Sequence, residues 1–583
     1  MFSIPTQTIV KEEFGSAATN KTVTVTTAGV TGYTPVHLVI RIRMKGDSAD
    51  VATPYIRLNG DTGSTYNSQL QTATGSTVAA SRSSDTSGWL IANGITGGDS
   101  ESSWAYSQIL IPDAFTTNTQ KCGLFVTTKP EEPSTVGMIT HGTVFWDSTA
   151  AITSVTLVDA SGSANNFDDE TEIELSVVDE NYAVTGSWTT GASGVLGSDG
   201  TWDTGDLSGS GLPGTNGSLV IIGNLKSTVD SSTDVVDMEF NNDTTSSNYW
   251  SAAMTSSGTS ENTGGQNNAQ VGEIGADSTA GKFGPLFVAI PEYSATEADK
   301  SYVAMSGYHT DSASFFEARH GHRDSTTAIN RIAITTDGGV NFKANSGLWI
   351  YKLSASGGNL IARYEATDDS DDDYTFSSIG TDYDHLEIIT YQRYDAAGWS
   401  SISGSDSYIY LGDSGGLDET DANYGWRRLK GENYSGVSAS VSTSANINNG
   451  PSFSGITTST ADSGVFAAGV NTIFDYKKTD RYKAWMTLTG SGENNTDDWV
   501  ARIAQGQWED NDAITQMKGY ASYAGASTVG FIQGSVVELR GINTTPLAAT
   551  SDIQAVNGIA LASIEAVNGI TATDGEKING VDF

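Results

Sequence analysis

His37-Leu38-Val39-Ile40-Arg41-Ile42-Arg43 and, a little further on, Ile56-Arg57-Leu58-Asn59-Gly60-Asp61 decide the fold of this chain. In the first run, Leu38, Ile40 and Ile42 fall on every second position, the period of a strand with one buried face. The second run ends in Asn-Gly-Asp, which turns a chain tightly because Asn and Gly accept positive φ. Tyr66 follows. Alternating runs separated by such a turn read as antiparallel β.

The same signals return twice in the same order. Ser218-Leu219-Val220-Ile221-Ile222 precedes Met238-Glu239-Phe240-Asn241-Asn242-Asp243 and Tyr249. His385-Leu386-Glu387-Ile388-Ile389 precedes Ile409-Tyr410-Leu411-Gly412-Asp413 and Tyr424. A third signal is a polar corner before another alternating run. It reads Phe145-Trp146-Asp147-Ser148-Thr149, then His322-Arg323-Asp324-Ser325-Thr326, then Gln507-Trp508-Glu509-Asp510. Each copy closes with a Phe ahead of a last strand: Phe167 before Ile173, Phe342 before Leu348, and Phe531 before Val536. Four signals in one order, three times, define an internal triplication.

No segment carries a sustained helical stripe. The expected fold is all-β: three tandem antiparallel β-sandwich modules of jelly-roll type plus a short C-terminal repeat tail. The boundaries expected are residues 1–180, 181–355 and 356–545, with the tail at 546–583. The Gly/Ser/Thr/Asp-rich stretch at 187–214, with Trp188 and Trp202, and the acidic run at 368–373 read as connectors. In the tail, Val556-Asn557-Gly558, Val567-Asn568-Gly569 and Ile578-Asn579-Gly580 recur with a period of 11. Its apolar residues Ile553, Val556, Ile559, Ile564, Val567, Ile570, Ile578 and Val581 are too few to form a core alone. They are therefore expected to bind another chain, making the protein a homo-oligomer, with a trimer favoured.

Composition narrows the function. The 583 residues are 37% hydrophobic and only 17% charged, with 65 Gly. Twelve Trp, 23 Tyr and 18 Phe supply enough core-forming area to exclude disorder. A net charge of −39 disfavours nucleic acid, whose phosphates need a basic face. The single cysteine, Cys122, excludes an intrachain disulfide and a cysteine metal cluster. The start, Met1-Phe2-Ser3-Ile4-Pro5, lacks a secretory pattern, and no run of 18 apolar residues predicts membrane insertion. Synthesis in a cytoplasm and exposure by assembly or lysis is the localisation expected.

These modules resemble those of virion structural proteins of tailed bacteriophages, and the Ile-Xaa-Xaa-Val-Asn-Gly tail is similar to terminal repeats of phage fibre and appendage proteins. The resemblance implies a place in the virion and brings no catalytic residue. Its implied partners are other virion proteins and a host-surface glycan.

Several local patterns compete with that reading. Gly412-Asp413-Ser414-Gly415-Gly416 matches a serine-protease nucleophile motif, but Leu417 stands where Pro is usual. It aligns instead with the turn at Gly60-Asp61-Thr62. His322-Arg323-Asp324 matches a kinase catalytic loop without the rest of that machinery. His320 and His322 share a strand face and, with Asp324, offer metal-ligand chemistry. Asp368, Asp369, Asp371, Asp372 and Asp373 offer oxygens for calcium, without the Gly or later Glu of a loop site. Trp202, Trp250, Trp399 and Trp426 could stack on sugars. In each case packing, a turn or a solvated charge run is the preferred explanation. No catalytic, cofactor or metal residue is assigned, and no enzyme activity is expected. The expected function is a structural phage protein, of tail-fibre or appendage type. Alternatives are a capsid-surface decoration protein and, in another class, a carbohydrate-active or glycan-binding jelly roll, which needs two carboxylates across a groove. A surface-layer protein is a further rival.

Overall fold

Alternating sequence becomes strand almost everywhere, and the computed structural model gathers the strands into three pairs of facing antiparallel sheets. It describes residues 6–544 apart from 26–33, 48–50, 97–102, 130–136, 162–165, 181–182, 184–193, 208–216, 259, 267, 278–281, 311–312, 338, 355–358, 370, 396–405, 421–422, 433–436, 443–451, 456, 458–463, 493–498 and 524–526. In the tail it describes three pairs of two-residue strands.

The large sheet of module 1 runs Thr6–Glu13, Glu172–Asp179, Pro35–Met44, Ala105–Ile111, Lys121–Lys129, Met138–Trp146, Tyr66–Thr74, Thr77–Thr86. That of module 2 runs Gly347–Ser354, Gly217–Leu225, Gly284–Ile290, Lys300–His309, Ser314–Arg323, Tyr249–Ser257, Ser260–Gln266. Module 3 gives Leu360–Glu365, Val536–Ile542, His385–Gln392, Ala467–Phe474, Lys483–Gly492, Trp499–Trp508, Tyr424–Glu432, Val437–Ser442. The order is the same each time, less one edge strand in module 2. A smaller sheet covers each large one; in module 1 it runs Asn20–Thr24, Ser154–Asp159, Pro54–Leu58, Trp89–Leu90. Early strands pair with late ones in nested fashion, as in a jelly roll.

Register makes the triplication residue-specific. Leu38, Leu219 and Leu386 face Ile111, Ile290 and Ile473 across the neighbouring strand. All three leucines are fully buried, each in the core of its own module. The hydroxyls of Tyr66, Tyr249 and Tyr424 each accept from the backbone N–H of Leu58, Phe240 or Leu411. Phe167, Phe342 and Phe531 each bridge two backbone segments at the base of their sandwich.

One alignment read from sequence needs correction. Asp61 accepts from Trp146 Nε1, Asp243 from Arg323, and Asp418, not Asp413, from Trp508 Nε1. Asp418 stands seven residues after Leu411, whereas Asp61 stands three after Leu58. The four extra residues form a small hairpin, in which Asp413 pairs with Gly416. Gly412-Asp413-Ser414 thus belongs to an insertion peculiar to module 3, and the turn equivalent to Asp61 comes later.

The large sheets are buried on both faces. Strands such as Ala105–Ile111, Gly284–Ile290 and Ala467–Phe474 are buried at every residue. Their inner faces line the module cores, and their outer faces meet in one shared core. Leu124, Met305 and Met486 belong to that core, one from each module. The edge strands Thr77–Thr86, Ser260–Gln266 and Val437–Ser442 all touch one another, so the modules close around a pseudo-threefold axis.

Candidate functional site

Three seams join the modules, and the titratable chemistry of the described residues concentrates there. Arg43, Asn224 and Tyr391 each lie five residues beyond an anchor leucine on equivalent strands. Each reaches into a turn of the next module. Arg43 Nη1 donates to Asp475 at 3.2 Å, Asn224 Nδ2 to Thr119 at 3.1 Å, and Tyr391 Oη to the Asp299 carbonyl. Those turns share a left-handed residue, Asp113, Glu292 or Asp475, with φ of 52, 48 and 51°. Asp enters that region more readily than most residues and Glu less so, and the repetition at one position of all three turns marks the turn as a shared part of each seam.

The seam between modules 3 and 1 closes the ring with a buried ion chain. Arg41 Nη1 donates to Glu174 Oε1 at 2.5 Å. Glu174 Oε2 meets His385 Nε2 at 3.3 Å, and His385 Nδ1 accepts from the Asp475 backbone at 3.0 Å. Asp475 Oδ2 also accepts from Tyr106 at 3.2 Å. Burial acts to raise both carboxyls, but the neighbouring guanidiniums and hydrogen-bond donors outweigh it. Arg41 and His385 bring Glu174 down to about 2, and Arg43, His385 and Arg481 hold Asp475 well below the usual carboxylate range. Trp104 lies against both Arg43 and Arg481, with guanidinium carbons 5.2 and 5.5 Å from its ring centroid. Between these groups lies a cavity of about 10 Å³, room for about one water molecule. With its charged side chains almost entirely buried, the cluster can latch modules together, and the space beside it is too small for more than a water molecule.

The other seams are aromatic. His37 meets Trp349 edge-on with ring centroids 4.6 Å apart, and His141 meets Phe316 at 4.7 Å. His309 lies 5.3 Å from Phe145. His320 is packed so closely on Gly490 of module 3 that a Cβ there would collide with its own Cβ. His322 lies beside Trp250, whose ring reaches Trp499 of module 3. All six histidines of the chain are buried. Cys122 is buried too and donates to Asn224 at 3.3 Å across the first seam.

The sequence candidates fall as follows. Ser414 is exposed at the tip of the inserted hairpin. His320 and His322 do share a face, but it is the seam face, and Asp324 is an exposed turn residue beyond it. The acidic run is divided among separate partners: Asp369 accepts from Gln533 N, Asp371 from Tyr364, and Asp373 pairs with Lys518. Trp202 is buried against Phe342 and Trp250 in the second seam, so neither offers a face to a sugar. Trp426 is half-buried under Arg428. Trp188, Trp399, Ile553 and Ile564 lie outside the described residues. In the tail, Val556 pairs with Ile559, Val567 with Ile570, and Ile578 with Val581, each in antiparallel two-residue strands. The seam histidines were invisible from sequence, because nothing in a single strand shows that its second face meets another module.

No family model matches this chain, and no curated protein matches it. Among solved structures, a calcium-bound pair of domains from extended-synaptotagmin 2 is 7% identical, covering 50% of this chain and 98% of that one, with a TM-score of 0.10. A bacterial polysaccharide outer membrane secretin is 8% identical over 84% of this chain and 99% of its own, TM-score 0.09. The Pseudomonas putida toluene transporter TodX is 7% identical over 87% and 96%, TM-score 0.07. Scores this low carry no argument about this protein.

Proposed function

We propose that the chain is a non-enzymatic structural component of a phage virion, a tail-fibre or appendage protein that works by self-assembly and surface contact, including contact with the host. The observation that carries this reading is the closure of three unequal modules around one axis by buried seams. A single chain thereby builds a three-lobed, rigid body of the kind that particle appendages use as a spacer or contact head. Its clustered ionisable groups support the same reading, since they are spent on holding modules together. Self-association then falls to the tail. Its repeated strand pairs are too small to be stable alone and would gain stability by adding strands to a neighbour.

Deletion of residues 546–583 tests this directly. The body should remain folded, while sedimentation of the truncated chain should show loss of oligomer and particles should fail to incorporate it. Normal incorporation of the truncated chain would refute the tail's role. Antibody labelling of particles separates an appendage from a capsid-surface decoration by position.

A further inference from the structure

The histidines of the two seams that hold module 2 are built for one protonation state. His37 Nδ1 accepts from the Asp113 backbone N–H at 3.1 Å, so its proton sits on Nε2, which meets no acceptor. His141 Nε2 bonds to Gln71 Oε1 at 2.9 Å, which leaves Nδ1 as a buried lone pair without a partner. Neither nitrogen of His320 has one. A second proton would place an N–H against another N–H in His37, and against apolar surface in His141 and His320.

We propose that mild acid opens the ring at module 2, because protonated His37, His141 and His320 no longer fit the seams that modules 1 and 3 make with it, while the seam between modules 3 and 1 stays shut.

The groups facing each imidazole agree. Against His37 stand the rings of Trp349 and Tyr351 and the backbone of Asp113. The Asp113 carboxylate turns away to Thr116 and Thr119, and Asp179 and Glu180 lie toward Tyr351. His141 is faced by Gln71 and Phe316, and burial alone drives its shift. His320 has Ala252 and Val303 beside it in the sheet, Trp250 and Gly490 over it, and His322 as the titratable neighbour that acts on it. Burial holds His37 and His141 near 3 and pushes His320 well below its ordinary value.

The sign follows. A base held neutral in the closed state adds stability above its ordinary value near 6.5 and loses it as pH falls. At pH 5 each such imidazole shifts closure by about 30-fold, so the first seam, with two, loses about 1,000-fold. The closing seam differs: His385 also accepts a backbone N–H at Nδ1, but it lies between the carboxylates of Glu174 and Asp475, and that seam is held besides by the ion pairs of Arg41 with Glu174 and of Arg43 with Asp475. Glu273 and Asp237 of module 2 are half-buried carboxyls that desolvation holds high, near 7 and 6. They lie toward Glu317 and Arg319 on the inner face of the sheet, away from the seams, and are not uncovered by opening.

The test uses the full chain with spin labels at exposed positions in the three modules: Thr149→Cys, Thr327→Cys and Thr479→Cys, taken in pairs. Between pH 7.5 and 5 the 149–327 and 327–479 distances should widen reversibly, and the 149–479 distance should hold. The H37Q/H141Q/H320Q variant should stay closed at pH 5. Should that variant not fold, H320Q alone should hold the 327–479 distance while 149–327 still widens. Unchanged distances at pH 5, widening of all three pairs together, or an unaltered pH profile in the variants would overturn the proposal.

Discussion

Arg43 of module 1 donates to Asp475 of module 3 over 3.2 Å, and this ion pair closes the ring between the first and last modules. The other two seams join modules that are adjacent in the chain. This one joins modules separated by the whole of module 2, so its contacts must offset the entropy of closing a long loop. A buried pair has a large desolvation cost, and its value lies in specificity as much as in stability. Here the register is fixed by a chain of partners running from Arg41 to Asp475.

Replacing Asp475 with Ala should therefore destabilise the protein by about 3–5 kcal/mol, the usual consequence of stranding buried charge. Denaturant unfolding of D475A, R43A and the double variant gives the coupling. Additive losses would mean that the pair does not act as a unit.

Acid should affect this seam late. Glu174 and Asp475 ionise more readily folded than unfolded, so their contribution is complete above their ordinary values near 4 and drains as pH falls toward about 2. Unfolding followed from pH 7 to 2 should show an acid loss below pH 4 that D475N reduces.

Tyr66, Tyr249 and Tyr424 make the same paired bonds to backbone in three separate cores. Each Tyr→Phe change leaves a buried N–H without its acceptor and should cost about 1–3 kcal/mol. The three losses should add, because the sites share no partner. Equilibrium denaturation of the single and triple variants checks both statements.

Gly490→Ala should disturb the seam between modules 2 and 3, since the new methyl meets His320 Cβ. Overpacking of this kind costs about 1–3 kcal/mol. His320→Gly in the same chain, which removes that Cβ, should restore part of the loss. A thermal-unfolding series shows whether it does.

Ser414→Ala should change neither stability beyond about 0.5 kcal/mol nor any hydrolytic activity of the chain, as the residue sits exposed on an inserted hairpin. Peptide, ester and polysaccharide assays of both proteins provide the comparison.

The modules could be read from the chain because their signals are local. An anchor leucine, a turn with its tyrosine and a closing Phe each act within one sandwich. The inserted hairpin misled because Gly412-Asp413 imitates Gly60-Asp61, whereas the acceptor for Trp508 is Asp418. Closure into a ring was less legible, since it depends on pairs such as Arg43 with Asp475 that lie far apart in sequence. A hint was present in strands such as Gly284-Pro285-Leu286-Phe287-Val288-Ala289-Ile290, apolar on both faces, which suits a sheet covered on both sides.

If one chain builds a three-lobed virion body joined to the particle through its C-terminal tail, cryo-electron microscopy of purified particles should show it, with the chain identified by labelled antibody. The expected image has three lobes around one axis for each single chain of 61.1 kDa, with residues beyond 545 leading to the attachment point. Three chains per three-lobed body, or particles in which the chain is absent, would contradict this picture.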